Sequence, residues 1–200
     1  MIALSQWRIT GLVAVVLLAM SAMSFLWFGF TEDAIRSLIR GTARTSVTLF
    51  VLAFSASSLF SLYKTTWASY LLKNRRYIGL SFALSHFVHL FFLILLMMYF
   101  PEDSLAKLNN VEKVLASLTY VFILAMTLTS FRYAKDRMST KAWHRLHSTG
   151  MFLIWLIFIE TYGFAVFHNM MYLPLVLLLL AAMGLRIAHF IQQRRLEATV

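Results

Sequence analysis

The chain has no cysteine, only two prolines, and few charges: 13% of its 200 residues are Asp, Glu, Lys or Arg. Without cysteine there are no disulfides, no thiol catalysis and no cysteine-ligated iron–sulfur cluster. Pro101 falls just past an apolar run and Pro174 near the start of another, so neither breaks a helix core. Acidic residues are scarce as well, 8 against 18 basic ones. No GxxxxGK[ST] or GxGxxG nucleotide loop and no HExxH metalloprotease motif is present.

What the chain has in quantity is hydrocarbon, with 60% of residues hydrophobic and a mean hydropathy of +0.76. About 20 apolar residues suffice to cross a bilayer core of ~30 Å. Six such runs are predicted as spans, at residues 9–29, 46–63, 77–100, 114–131, 146–167 and 170–191. Lipid supplies no partner for backbone polar groups, so the spans are expected to be helices. The first is too long to read as a removable signal peptide. The linkers leave no room for a soluble domain. The predicted fold is therefore an all-α bundle of six transmembrane helices forming a single domain over residues 1–200, with no flavin or nicotinamide domain.

The net charge of +10 would suit a nucleic-acid binder, but its distribution argues for topology instead. Arg8, the linker after span two, the linker after span four and the C-terminal end hold thirteen cations with only Asp136 and Glu197 beside them. The alternate side holds five, Arg36, Arg40, Arg44, Lys107 and Lys113, accompanied by five acids. By the positive-inside rule both termini are expected in the cytoplasm. No nucleic-acid partner is needed; the first partner is lipid.

Ionisable groups inside a span are costly and mark candidate functional sites. His86 and His89 lie deep in span three, on one helix face because they are three residues apart. Two rings so placed cannot grip opposite faces of one porphyrin, so one would be a ligand and the other a supporting or proton-handling group. Either could equally be a hydrogen-bonded packing residue. His144 and His147 stand at the mouth of span five in Trp143-His144-Arg145-Leu146-His147, where aromatic and basic residues commonly anchor a helix end. His168 and His189 fall at span ends and read as interface residues. Glu160 is the one carboxylate inside any predicted span. It could carry a proton, partner a buried histidine, donate to a quinone or porphyrin group, or serve packing alone. Ser55-Ala56-Ser57-Ser58 in span two reads as a close-packing face rather than a catalytic site.

The order of these motifs resembles the ferric-reductase-like transmembrane family, and most closely its bacterial branch that serves as the haem-binding membrane subunit of periplasmic methionine-sulfoxide reduction. Span three of that family opens Arg-Arg-x-x-Gly-Leu with a ligand histidine ten residues after the glycine; here Arg75-Arg76-Tyr77-Ile78-Gly79-Leu80 precedes His89. Leu128-Thr129-Ser130 then precedes Trp143-x-x-Leu146-His147, and Arg44-Thr45 opens span two as in that branch. The resemblance covers roughly residues 44–160. It implies one b-type haem with His89 and His147 as axial ligands of the iron and His86 as an alternate. It also implies a bacterial inner-membrane electron carrier fed by a separate reductase or quinol, delivering to an extracytoplasmic protein or ferric iron. Arg75, Arg76 and Arg145 would meet haem propionates or an acidic flavoprotein; topogenic charge alone would also account for them.

One position departs from that family. A second histidine usually follows the one matching His147 by thirteen residues, and Glu160 stands there. At 1.5 Å per residue His89 lies about 20 Å beyond Arg76 and His147 only about 3 Å beyond Arg145, so Glu160 is level with His89. Three outcomes stay open: His147 reaching His86 or His89 across one haem, a haem held by a single histidine, or no haem. In the last case His86, His89 and Glu160 would form a polar cluster in a proton-coupled transporter or a scaffold subunit.

Overall fold

The computed structural model describes residues 5–101 and 110–198, and among these it is helical with no strand. Six helices are long and apolar enough to cross a membrane, so this is a multi-pass membrane protein. They are α1 (Trp7–Phe28), α2 (Glu32–Tyr63), α3 (Thr66–Tyr99), α4 (Asn110–Leu128), α6 (Thr140–His168) and α7 (Leu173–Ala198). A single turn, α5 (Arg132–Lys135), joins α4 to α6, and a 3-10 turn, Met170–Tyr172, leads into α7. Lys107 lies outside the described residues.

Two helices begin more than ten residues before the apolar segments that predicted them. α2 begins at Glu32 rather than near 46, because Thr31 caps it by accepting from Ala34 N and Glu32 pairs with Arg36 one turn on. α3 begins at Thr66 rather than 77, with Thr65 accepting from Ala68 N. Hydropathy marks where lipid begins; caps mark where the helix begins.

These two long helices form the axis of the bundle. Association inside lipid relies on close packing and interhelical hydrogen bonds, since lipid tails are as apolar as leucine. Both appear at fully buried serines: Ser46 donates to Ser85 at 3.0 Å, and Ser85 donates to the Thr42 carbonyl at 3.0 Å. The main core gathers Phe50 and Phe54 of α2, Phe82 of α3, Ile123 of α4, Ile154 and Phe158 of α6, and Leu179 of α7. α1 lies outside this core with Leu17 as its sole buried residue. It is tied to α3 by Gln6 N–Asn74 Oδ1 (2.9 Å) and by Thr10 Oγ1, which donates to the Tyr77 carbonyl at 3.3 Å. With six crossings, the start of α1 and the end of α7 share one end of the bundle, called here the termini end.

Candidate functional site

On α3, Arg75, Gly79, Phe82, His86 and His89 recur every three or four residues and so form one stripe along the helix. At its termini end the stripe faces a cavity of about 830 Å³ enclosed by α2, α3, α4, α6 and α7. That size is within the usual range for small-molecule and cofactor sites. Phe50, Phe82, Ile123, Met126 and Met151 give it an apolar depth. Arg75, Arg76, Arg132, Lys135 and Arg186 ring it with five cations against one carboxylate, Asp136.

Two of those guanidiniums are deep in the wall. Arg75 Nε donates to the Ala53 carbonyl at 3.0 Å, and Arg186 Nη1 lies 3.3 Å from the neighbouring Phe54 carbonyl. Arg186 also sits over the rings of Phe54 and Phe152, 4.5 and 5.0 Å from their centroids. Neither is bonded to a carboxylate: among the described residues the one ion pair is Arg36–Glu32. Two half-buried cations held by carbonyl dipoles make a positive cavity that favours an anionic occupant.

His147 is part of that wall. Ser139 caps α6 by accepting from Ala142 N, which sets Trp143 and His147 one turn apart on the same face. The Trp143 ring stacks on His147 at 4.1 Å and its Nε1 donates to the Thr129 carbonyl at 3.1 Å. His147 Nε2 lies 3.0 Å from Thr129 Oγ1, whose own proton goes to the Ala125 carbonyl at 2.7 Å. Nε2 is therefore the protonated nitrogen, and Nδ1 keeps the lone pair.

His86 and His89 are adjacent to each other but outside this wall. Their rings stack at 5.5 Å, and Tyr120 of α4 also stacks on His86 at 5.0 Å. Phe50, Phe82 and Phe158 form a triangle with centroid separations of 5.4 to 6.2 Å. Phe50 and Phe82 face the cavity while Phe82 and Phe158 pack on His86, so the triangle stands between the two histidine groups. His89 Nδ1 is 3.0 Å from the Ile39 carbonyl; His86 Nδ1 is buried with no hydrogen-bond partner. The structure thus joins His86 with His89, and His147 with Arg75 and Arg76. It does not place His89 and His147 across one cavity.

Glu160 is exposed on the outer face of α6. Phe158 and Tyr162 of that helix point into the core, and Glu160, two residues from each, is turned about 200° from Phe158. Arg145 is exposed and absent from the cavity wall, whereas His144 is exposed but contributes to its rim. Sequence reasoning missed Arg186 and Tyr120 as site residues. Arg186 carries a signal, being the one charged residue within the predicted sixth span, but topogenic charge near the C-terminal end accounts for it equally well. Tyr120 carried none, since the phase of α4 against His86 is a tertiary fact.

Comparison of the chain with family models, with curated proteins and with solved structures gives no match. Fold and cavity define a class: a multi-pass helical membrane protein with a cation-ringed, histidine-bearing cavity near one end of the bundle.

Proposed function

We propose that this protein is a membrane electron-transfer subunit that holds one b-type haem in the cavity at the termini end. The observation that carries the reading is the coincidence, in one 830 Å³ cavity, of an imidazole with an unspent lone pair and two guanidiniums without carboxylate partners. An apolar planar group bearing two carboxylates and needing an axial nitrogen matches that wall. His147 Nδ1 would be the axial donor, oriented by Thr129 and backed by Trp143, as ligating histidines are oriented through their second nitrogen. Arg75, Arg76 and Arg186 would hold the propionates by charge-assisted hydrogen bonds. Bound there, haem supplies one-electron chemistry between ferric and ferrous iron; the protein supplies position, dryness and field.

The His89 ligand role implied by the resemblance belongs to a different place in this bundle, beyond the aromatic triangle. A haem in the cavity would be held by one histidine of this chain, His147. From its wall an aromatic series leads deeper: Phe82 to His86 at 5.5 Å and His86 to His89 at 5.5 Å. That series suits a conduit from the termini end toward the opposite face. With both termini in the cytoplasm of a bacterial inner membrane, a separate reductase or quinol would deliver electrons at the basic mouth. An extracytoplasmic protein or ferric iron would receive them.

A reduced-minus-oxidised visible spectrum of purified protein supplied with haem tests the reading. A b-type spectrum is expected, lost in His147→Ala and kept in His89→Ala. The reverse pattern would move the haem to His89, and folded wild-type protein without haem absorbance would overturn the proposal.

A further inference from the structure

A second hollow, about 390 Å³, opens between α1 and the first turns of α2 at the end opposite the termini. α1 contributes Met20, Met23 and Trp27, and α2 contributes Ser37, Arg40 and Arg44. The α2 residues are spaced three and four apart, so their side chains share one face. The helices are close here: a Cβ on Gly41 would come within 2.9 Å of Met20 Sδ.

Depth makes these arginines unusual. Residues 9–31 contain no charge, so hydrocarbon is expected to cover α1 along its length of about 33 Å. Met20 is eight residues, about 12 Å, inside the end of α1. Arg40 and Arg44 border the same hollow, so their backbone lies well below the polar interface even where the side chains reach upward. Among the described residues neither is paired with a carboxylate, and Arg44 rests over the Tyr172 ring at 5.5 Å. Exposed guanidiniums rooted at that depth favour an anionic partner.

We infer that the α1–α2 hollow binds an anionic glycerophospholipid, with its phosphate between Arg40 and Arg44 and an acyl chain along Met20, Met23 and Trp27. Guanidinium matches phosphate in a two-pronged geometry, and the apolar wall of α1 matches the chain. A diffusible anion would use only the first of these features, and a zwitterionic lipid would gain less from two adjacent cations. The site is separate from the proposed haem cavity and does not depend on it.

Native mass spectrometry of the full chain, titrated with dioleoylphosphatidylglycerol or dioleoylphosphatidylcholine, tests it. The expected result is one tightly retained phosphatidylglycerol, favoured about tenfold over phosphatidylcholine. Arg40→Gln/Arg44→Gln should abolish the preference, while Lys113→Gln should keep it. Arg40→Lys/Arg44→Lys preserves charge without the fork and should retain a reduced preference, which guards against misfolding of the glutamine variant. Equal retention of both lipids by wild type would overturn the inference. So would an unchanged preference in the folded double glutamine variant, or displacement of the lipid by millimolar inorganic phosphate.

Discussion

Nδ1 of His89 lies 3.0 Å from the carbonyl oxygen of Ile39 on the neighbouring helix. It is also 3.2 Å from Thr42 Oγ1, whose proton is given to the Leu38 carbonyl at 2.7 Å. A carbonyl only accepts, so Nδ1 carries the hydrogen and Nε2 carries the lone pair. His86, one turn earlier, has no such anchor on Nδ1. Of the two stacked rings, His89 is fixed by α2 and His86 is held by aromatic contact alone.

The tautomer is directly measurable. Ring ¹⁵N resonances of His89 should show a protonated Nδ1 and an unprotonated Nε2, and Thr42→Val should leave that pattern intact because the Ile39 carbonyl remains. Thr42→Val should lower stability by about 1 kcal/mol, the usual net worth of one hydrogen bond. A dominant Nε2–H form in the wild type would contradict the arrangement.

The cavity cations are separable from the topogenic ones. Arg75→Gln and Arg186→Gln remove guanidiniums from the wall, and each should lower haem retention during purification several-fold. Arg145→Gln, exposed and outside the wall, should not. Haem-to-protein absorbance ratios after equal washing check this. Equal loss in all three variants would mean that general basicity, not the wall, governs retention.

The α2–α3 contact should depend on Ser85. Ser85→Ala removes its links to Ser46 and to the Thr42 carbonyl, at about 0.6 to 1.7 kcal/mol for each interhelical bond. Ser85→Leu should cost more, because the position is fully buried and a larger side chain must push the two long helices apart. Unfolding midpoints in detergent should fall in the order wild type, alanine, leucine. If leucine matched wild type, the packing described here would be wrong.

Much of this bundle is legible in the sequence. Six helical spans follow from hydropathy because apolar runs of about 20 residues fit a helix across the bilayer, with every backbone hydrogen bond made within the segment. The helical extensions before 46 and 77 were invisible to hydropathy, since charged turns lower it while Thr31 and Thr65 caps still start helices. His86 and His89 were legible as an adjacent pair because spacing within one helix fixes their relation. The relation of His147 to them was not, because it depends on how α3 and α6 pack about Phe50, Phe82 and Phe158. Arg75 and Arg76 were singled out and do line the cavity; Arg145, singled out with them, does not.

Glu160 separates level from phase. Counting residues put it at the depth of His89, but depth says nothing about which way a side chain turns. Phe158 and Tyr162 fill the core face of α6, which leaves Glu160 on the outer face, and it makes no hydrogen bond or ion pair with His86 or His89 among the described residues. A carboxyl facing lipid costs stability without serving the histidine pair. Glu160→Gln and Glu160→Leu should therefore leave any haem spectrum unchanged, and Glu160→Leu should raise the unfolding midpoint in lipid nanodiscs. Loss of the spectrum in both variants would place the carboxyl back in the site. A lower midpoint in Glu160→Leu would instead show that a polar partner covers this face in the membrane.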